Sequence, residues 1–518
     1  MPRPLPPTET TVAATTWRNW LCFAFIASLA LSVYKVYRPS TINNDGLLYL
    51  STAQTFIEQG FKAAFAQFNW PAFPMLIGLT HQAFGISYEH AAYGINALLL
   101  ALLSVGFMLL YREVTAGQGR PWVAAAVILA SPQLTDYRSF IVRDIGYWAL
   151  GLWAVLCFTR YCRRHRWSDA LAWQACIAAA IAFRIEGAAL AALLPIYCLL
   201  QGERRGTAWL KANSLFLLGA AILAALLATG AMPAPTNARL EQLQHFLSLP
   251  RISAEFAAKA EVIARHAQTF YAPQDIGPLL AGGVFSLLLY KIASCLGLAY
   301  ASLLLWALWR ERVQLFRQPA VIWYAAAITA IPLLAFAVSD LFISGRYMGL
   351  LVVLLSLPAA QSAEFLLFGN GPVLLRPRWA AVLALVLAVM LLDAFIKTGP
   401  TKRYLRKAGD WARDHLPATI SLCSDDPSVP YYAGHGRPAG GCSALESLER
   451  NEAGQYGAFM VKIGRKDQEK RDRLQALLDR RGDWAIAAKF SNQVGDAVIS
   501  SCPPRPGPDP IYSIWEYL

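Results

Sequence analysis

Charged residues are scarce in this sequence. They make up 15% of its 518 residues, whereas a soluble domain of average composition has roughly 25%. Hydrophobic residues make up 56% and fall in blocks of about 17–25, the length that spans a hydrocarbon core of about 30 Å. This pattern excludes a single soluble globular domain and predicts a polytopic α-helical membrane protein.

Metal-binding cysteine spacings are also missing, although the chain has nine cysteines. Most of them lie in apolar blocks, where cysteine behaves as a small hydrophobic residue. Cys423, Cys442 and Cys502 lie instead in the polar C-terminal part. If that part is in an oxidising compartment, one pair could form a disulfide, and Cys423–Cys442 is the preferred pair.

The net charge of +13 does not indicate a nucleic-acid partner, because most arginines lie in short loops between apolar blocks. These loops alternate with loops that are poorer in basic residues. The positive-inside rule then places the basic loops and the N-terminus in the cytoplasm of a bacterial inner membrane, and the opposite loops in the periplasm. The basic loops contain Arg112 and Arg120; Arg160, Arg163, Arg164 and Arg166; Arg204, Arg205 and Lys211; Arg310, Arg312 and Arg317; Arg376 and Arg378.

Three regions follow from this topology. Residues 1–16 are rich in Pro and Thr and are expected to form a disordered cytoplasmic N-terminus. Residues 17–396 hold about eleven transmembrane helices, with a first periplasmic loop at 38–90 and a later one at 232–278. Residues 397–518 are predicted to form a soluble α/β domain on the periplasmic side. The predicted spans are 17–37, 91–111, 121–135, 145–160, 169–183, 185–200, 212–231, 279–308, 320–339, 347–368 and 379–396.

Asp45 lies just after the first span, in the run Asn43-Asn44-Asp45-Gly46, where it has no core to pack into. One interpretation is a structural helix cap, because Asp before a helical run commonly serves this purpose. The other interpretation is an acid that carries chemistry on the external face of the membrane.

Two further charged clusters lie on the same face. Asp144 opens the fourth predicted span, and it is either a helix cap or a functional acid that Arg143 could neutralise. Arg184 and Glu186 stand between two apolar blocks with no polar loop to solvate them. Because an isolated buried charge costs several kcal/mol, this pair needs partners or a polar cavity.

Arg346-Tyr347 ends a short external loop before the tenth span. The arginine can snorkel to the membrane surface, or it can hold a phosphate through a bidentate fork with Tyr347 as an added donor. The topology puts it on the same face as Asp45, Asp144 and Arg184. Carboxylates and arginines at one face suit a reaction on an anionic, lipid-borne substrate.

The order and sidedness of these motifs resemble the integral-membrane GT-C glycosyltransferases, in particular bacterial members of family 39. That family is similar to protein O-mannosyltransferases and to the lipid A aminoarabinose transferase. The resemblance covers most of the chain. It is carried by Asp45, Arg143-Asp144, Arg184-Ile185-Glu186-Gly187, Arg346-Tyr347 and the run from Tyr404 to Gly434.

The resemblance implies an inverting transfer of a sugar from an undecaprenyl-phosphate-linked donor. The acceptor would be a hydroxyl or phosphate on a protein, on lipid A or on another glycan. Asp45 would act as general base, and Asp144 would position the acceptor or a divalent cation, or support Asp45. Arg184 and Arg346 would bind the leaving lipid phosphate. Tyr347 would bind the phosphate with them and would orient the arginines together with Glu186. The residues expected to support the site are Tyr49, Arg143 and Glu186.

One departure from the family pattern concerns metal binding. Many relatives carry two adjacent acids in the first external loop, whereas Gly46 follows Asp45 here. This difference argues against a two-carboxylate or metal-binding role at that position. No cofactor is predicted with certainty, and a divalent cation stays an open option.

Three other functions fit the sequence less well. An O-antigen ligase or polymerase usually has a long late external loop, and the loop at 340–346 is short. A transporter or flippase predicts inverted repeats and polar residues at the bilayer midplane, whereas the charges cluster at one face. A non-catalytic scaffold does not explain Arg184 and Glu186.

Overall fold

Helices dominate the computed structural model, and one small sheet lies near the C-terminus. Some segments of the chain fall outside what the structure describes, among them 230–247 and 267–274 within the predicted loop 232–278. The structure describes residues 7–37, 41–200, 205–229, 248–266, 275–310, 320–368, 377–393, 395, 402–417, 420–434, 442–450, 456–480, 485–492 and 497–502.

Every segment predicted to span the membrane contains a helix. Within the described residues, five of these helices are long and apolar enough to cross a membrane, and a bent pair at 205–212 and 214–226 makes a sixth. The count of eleven spans therefore stays a prediction, since the remaining helices are shorter or more charged. The helices are Pro7–Tyr37, Tyr88–Val114, Pro121–Leu129, Pro132–Tyr137, Asp144–Arg164, Trp167–Phe183, Gly187–Leu193, Tyr197–Leu200, Arg205–Ala212, Ser214–Ala228, Leu249–His266, Ile276–Arg310, Ala320–Asp340, Gly349–Phe368 and Pro377–Asp393.

The first helix corrects one expectation. It begins at Pro7 and runs without a break to Tyr37, so residues 7–16, expected to be disordered, are helical in the structure. Trp17, near the predicted start of the span, is buried against the rest of the helical core. The start of the apolar block was therefore a poor guide to the start of the helix, because helix formation continues through the polar residues before it.

The segment predicted to be the first periplasmic loop, 38–90, contains three short helices, Asn44–Gln59, Phe61–Gln67 and Ala72–Phe84, and we call it the first external loop. The first of these helices buries Leu47, Leu50 and Ala53, whose helical spacing in the sequence predicts an amphipathic helix at this point. Asp45 lies in its first turn and does not cap it, since Asn43 holds the N-cap position. The cap interpretation of Asp45 is therefore wrong.

A four-stranded sheet forms the centre of the C-terminal part. Its strands are β1 Leu422–Ser424, β2 Ala458–Ile463, β3 Ala485–Ser491 and β4 Ala497–Cys502, in the order β1-β2-β4-β3. β1 and β2 are parallel, and the other pairs are antiparallel. The sequence predicts strands at Ala418–Leu422, Trp484–Lys489 and Ala497–Ser501. The last two match β3 and β4 closely, the first overlaps β1 only at Leu422, and β2 was missed. Helices Arg403–His415, Ser428–Tyr432, Ala444–Glu449 and Gln468–Arg480 accompany the sheet.

The Asp425-Asp426 turn after β1 connects the strands and helices of the C-terminal part through hydrogen bonds and an ion pair. Asp425 accepts hydrogen bonds from the backbone N–H groups of Ala444 (2.7 Å) and Lys462 (2.9 Å). Asp426 pairs with the Lys462 ammonium at 2.8 Å and accepts from Ser428. Burial opposes the charge on Asp426, but these partners hold the pKa of its carboxyl below the usual value. The two acids therefore have a structural role in this part of the chain.

One covalent contact stabilises the C-terminal part internally, and one hydrogen bond joins it to the first external loop. Cys423 and Cys442 form a disulfide, which confirms the preferred pairing. The backbone N–H of Ile42 donates to the Tyr432 hydroxyl at 3.0 Å, and Tyr432 belongs to the same buried core as the membrane helices. The segment that leads into Asp45 is thus in contact with the helix after β1.

Candidate active site

All eight residues singled out from the sequence line one cavity of about 520 Å³. They come from four separate segments spread over some 300 positions of the chain. We call this cavity, with its apolar wall described below, the charged cavity. The eight residues are Asp45, Tyr49, Arg143, Asp144, Arg184, Glu186, Arg346 and Tyr347.

The loop before Asp144 is held against the start of the Asp45 helix by one side chain. The Asn43 amide donates to the Ile141 carbonyl at 3.1 Å and accepts from the Ile141 backbone N–H at 2.9 Å. Asn96 donates to the carbonyls of the neighbouring Phe140 and Val142 at 3.1 and 3.2 Å. Two segments almost 100 residues apart are therefore fixed to each other next to the charged cavity.

Gly46 lies at the closest approach of these two segments. A Cβ atom at this position would lie 2.8 Å from the Ile42 side chain, 3.0 Å from Asn43 Oδ1 and 3.0 Å from Ile141 Cβ. The position therefore has no room for any side chain, and an acid beside Asp45 would push the two segments apart. This packing gives a physical reason for the departure from the family pattern.

We expect Gly46→Ala to destabilise the protein by about 1–3 kcal/mol, the usual cost of overpacking a tight site. We also expect it to reduce activity, because the added methyl group displaces the Asn43–Ile141 contact that positions Asp45. Thermal melting and turnover measure the two effects. Gly94→Ala is the matched control, since this helical glycine has nothing within 4 Å of an added Cβ; equal effects in both variants would contradict the argument.

Arg184 is the centre of a buried ion cluster. Its guanidinium pairs with Asp144 and with Glu186, and its Nε donates to Glu186 at 3.0 Å. The side chains of Arg184 and Asp144 are only 8% and 2% exposed, so this pair is shielded from water. The sequence predicts that Arg184 and Glu186 need partners or a polar cavity. In the structure Arg184 and Glu186 pair with each other, and Arg184 also pairs with Asp144.

Arg143 does not neutralise Asp144, contrary to one interpretation of the sequence. Its guanidinium lies over the Phe68 ring, 5.2 Å from the ring centroid, while Asp144 pairs with Arg184. Arg143 occupies the N-cap position of the helix that Asp144 begins, so the two neighbouring side chains leave the backbone in different directions. Arg143 still lines the charged cavity, on the side of the first external loop.

Arg346 pairs with Asp45. Both side chains are partly exposed, at 28% and 37%, so this pair is more open to the cavity than the Arg184 cluster. The Tyr347 ring lies under both arginines, with its centroid 4.4 Å from Arg184 and 5.2 Å from Arg346. Arg346 also donates to the Tyr347 hydroxyl at 3.3 Å. Tyr347 thus orients the two guanidinium groups toward one space.

The sequence leads us to expect that the first external loop and the 232–278 loop wall the cavity, and the first external loop does close one side of it. Phe68 and Trp70 line it, and the Trp70 indole N–H donates to the Ile181 carbonyl at 3.0 Å. Tyr49 packs between Phe68 and Phe73, at 5.5 Å from each ring. The described residues of the 232–278 loop, 248–266 and 275–278, contribute no lining residue, and 232–247 and 267–274 lie outside the described residues.

The opposite wall of the charged cavity is apolar, and the sequence did not single it out. Its Ile331 side chain is 53% exposed on the surface of the helix Ala320–Asp340, so the wall continues onto the lipid-facing surface. Pro332 within this apolar helix was an available signal, since proline removes a backbone hydrogen bond. The wall consists of Ala188, Ala189, Ala192, Leu193, Ile331, Pro332, Leu333, Ala335, Phe336, Leu350 and Leu351.

Comparisons with solved structures establish the fold. The oligosaccharyltransferase of Archaeoglobus fulgidus, solved with Zn and sulfate, aligns over 86% of this chain and 68% of its own, with 13% identity and a TM-score of 0.52. ArnT from Cupriavidus metallidurans in the apo state aligns over 93% of this chain and 98% of its own, with 13% identity and a TM-score of 0.50. No family model and no curated protein sequence matches this chain. The chain therefore has the GT-C fold of these structures.

The residues of the charged cavity do not fit a divalent cation. Its three carboxylates are already paired with arginines: Asp45 with Arg346, and Asp144 and Glu186 with Arg184. Gly46 leaves no room for a second acid beside Asp45. Among the residues that the structure describes, no group of three or more His, Cys, Asp or Glu side chains could hold a metal ion. Arginines supply the positive charge in this cavity.

Proposed function

We propose that this protein is an integral-membrane glycosyltransferase that takes a sugar from a polyprenyl-phosphate-linked donor. The supporting observation is the charged cavity, in which Asp45 and two arginines meet a wall of apolar side chains. A polyprenyl-phosphate sugar consists of an apolar chain, an anionic phosphate and a sugar. The cavity volume of about 520 Å³ lies within the range of about 300–1,000 Å³ that is usual for small-molecule sites.

The two arginines would bind the donor phosphate. Guanidinium groups match the geometry of phosphate oxygens and remain charged at every physiological pH. The Nε–H of Arg346 is buried and has no hydrogen-bond partner among the described residues, so a ligand oxygen can accept from it. The polyprenyl chain would lie along the apolar wall that ends at Ile331 and would reach the cavity sideways from the bilayer.

Asp45 would act as general base. It takes the proton of the acceptor hydroxyl, whose oxygen attacks the anomeric carbon from the side opposite the phosphate. The new glycosidic bond forms as the bond from the anomeric carbon to the phosphate oxygen breaks, which inverts the configuration. The electron pair stays on the phosphate oxygen, where Arg346 and Arg184 stabilise the developing charge. Asp45 then passes its proton to water, and polyprenyl phosphate leaves.

Asp144 and Glu186 would act through Arg184. Both carboxylates contact its guanidinium, and Asp144 is too deeply buried to reach an acceptor. They are therefore positioning residues, which fix Arg184 beside Tyr347. Tyr49 and Arg143 complete the wall of the first external loop around the sugar and the acceptor.

We place the reaction at the periplasmic face of a bacterial inner membrane. The positive-inside rule puts the N-terminus in the cytoplasm, and eleven spans would put the C-terminal α/β part in the periplasm. The contact between Tyr432 and Ile42 supports this arrangement, since it keeps that part beside the segment that carries Asp45. The acceptor would be a hydroxyl or phosphate on a protein, on lipid A or on a glycan.

Release of polyprenyl phosphate tests this proposal. Purified protein in detergent is incubated with undecaprenyl-phosphate sugars labelled in the lipid, and free undecaprenyl phosphate is separated by chromatography. We expect release that depends on an added bacterial membrane extract as the acceptor source. A transporter, flippase or scaffold would return the donor intact, and intact donor with every sugar and extract tested would contradict the proposal.

A further inference from the structure

A second pocket of about 400 Å³ lies at the far end of the helix that begins with Asp144. That helix has 21 residues, so its ends are about 30 Å apart at about 1.5 Å per residue. This length equals the thickness of a hydrocarbon core, so the pocket and the charged cavity lie at opposite faces of the membrane. We call it the arginine pocket; it is lined by Arg112, Glu113, Ala116, Gly117, Arg160, Arg163 and Arg164.

The arginines of this pocket converge on a single carboxylate. Glu113 accepts from Arg160 at 2.8 Å, from Arg163 at 3.3 Å and from Arg164 at 3.4 Å. Its side chain is only 14% exposed, whereas those of Arg163 and Arg164 are 40% and 45% exposed. One enclosed acid therefore holds three partly open guanidinium groups in a fixed arrangement.

The charge of the arginine pocket is not balanced. Four arginines and one glutamate line it, which leaves three positive charges beyond the one that Glu113 neutralises. Arg112 forms no ion pair among the described residues, and its guanidinium lies 5.7 Å from the centroid of the Trp17 ring. Each guanidinium has five N–H donors, and Arg160 and Arg164 each use one on Glu113. An anion with several acceptor oxygens would satisfy both the charge and the donors.

Stabilisation of helix C-termini by basic side chains is a simpler explanation for these arginines, but it accounts for only part of their arrangement. Two helices, Tyr88–Val114 and Asp144–Arg164, end here, and basic side chains stabilise helix C-termini. Arg163 does so, because it donates to the Glu113 carbonyl at 2.7 Å. Helix ends do not require four arginines around one concave space.

We propose that the arginine pocket binds a phosphate group, and that its natural source is the headgroup of an anionic phospholipid in the leaflet opposite the charged cavity. Arginine forks recognise phosphate oxygens through paired hydrogen bonds. Trp167, which follows Arg164 closely in the chain, is half-exposed and packs against Lys211 at 4.8 Å. An exposed tryptophan beside basic side chains is typical of the headgroup level of a bilayer. A lipid phosphate is therefore available at the depth of this pocket.

Lipid retention measured by native mass spectrometry tests this proposal. The full chain is reconstituted in nanodiscs of phosphatidylcholine with increasing phosphatidylglycerol, then released and weighed with its bound lipids. We expect selective retention of phosphatidylglycerol, weakened about thirtyfold in Arg160→Gln/Arg164→Gln. Arg18→Gln/Arg166→Gln is the matched control, because it removes two exposed charges from residues that do not line the pocket.

A second variant keeps the test decisive if the double arginine variant fails to fold. Glu113→Gln keeps a side-chain oxygen that accepts from the arginines and holds them in place, but it removes the negative charge that competes with a lipid phosphate. It should therefore strengthen retention of phosphatidylglycerol. Equal retention of both lipids by the wild-type protein, or an equal loss in the control, would overturn the proposal. Inorganic phosphate, followed by ³¹P NMR, should bind weakly and be displaced by phosphatidylglycerol; phosphate that binds undisturbed by the lipid would overturn the lipid as the source.

Discussion

Asp45→Asn is expected to slow sugar transfer by about 10²–10⁴-fold, the range that general acid–base catalysis contributes. An amide oxygen is not basic enough to take the proton of an acceptor hydroxyl. It still accepts a hydrogen bond from Arg346, so the fold and the melting temperature should not change. Single-turnover release of polyprenyl phosphate from a labelled donor measures the rate, and thermal melting checks the fold.

Asp45→Asn should not weaken donor binding, although it slows turnover. Asp45 forms an ion pair with Arg346 in this structure, so the Asp45 carboxylate and the donor phosphate compete for the same guanidinium. Asn competes less, and Asp45→Asn should therefore bind the donor at least as tightly as the wild-type protein does. A residue with a purely structural role would lose binding and turnover together.

Asp340→Asn is the matched control for this prediction. Asp340 ends a helix that lines the charged cavity, but it is exposed and does not line the cavity itself. Its substitution should leave both donor binding and transfer unchanged. Transfer by Asp45→Asn at the wild-type rate would contradict the role of Asp45 as base.

The sequence predicted which residues share the charged cavity because a membrane restricts where a residue can lie. Once spans and basic loops fix the topology, each loop residue is assigned to one face. Asp45 and Arg346 are 301 positions apart, yet both follow from the same alternation of loops. Apolar periodicity likewise predicted the helix that carries Asp45. The Cys423–Cys442 disulfide was predicted from the cysteines of the polar C-terminal part.

The pairing of charges within the cavity could not be predicted in this way. Topology gives the depth of a residue but not its direction around a helix, and neighbouring residues on a helix point about 100° apart. For this reason the sequence offered the neighbouring Arg143 as one possible partner of Asp144, whereas the structure pairs Asp144 with Arg184. The apolar wall was missed for a related reason, because its residues look like any other lipid-facing or core residues until the charged groups beside them are located.

Replacing Arg184 should have the largest effect on stability. Arg184→Met leaves the buried carboxylate of Asp144 without its partner, and breaking a buried ion pair in this way usually costs about 3–5 kcal/mol. We also expect transfer to be lost, because the donor phosphate loses one of its two guanidinium groups. Loss of activity in this variant alone would not separate the two roles, since an unfolded protein is inactive as well.

The double variant Arg184→Met/Asp144→Asn separates the role of Arg184 in stability from its role in binding the donor phosphate. Removal of the charge on Asp144 should restore most of the lost stability, while transfer stays low because the phosphate still lacks its arginine. Thermal melting and donor binding, measured for both single variants and the double variant, complete the cycle. The exposed pair Arg265–Glu261 supplies the control, since Arg265→Gln should cost no more than about 1 kcal/mol. Recovery of transfer along with stability in the double variant would show that Arg184 is only a structural partner of Asp144.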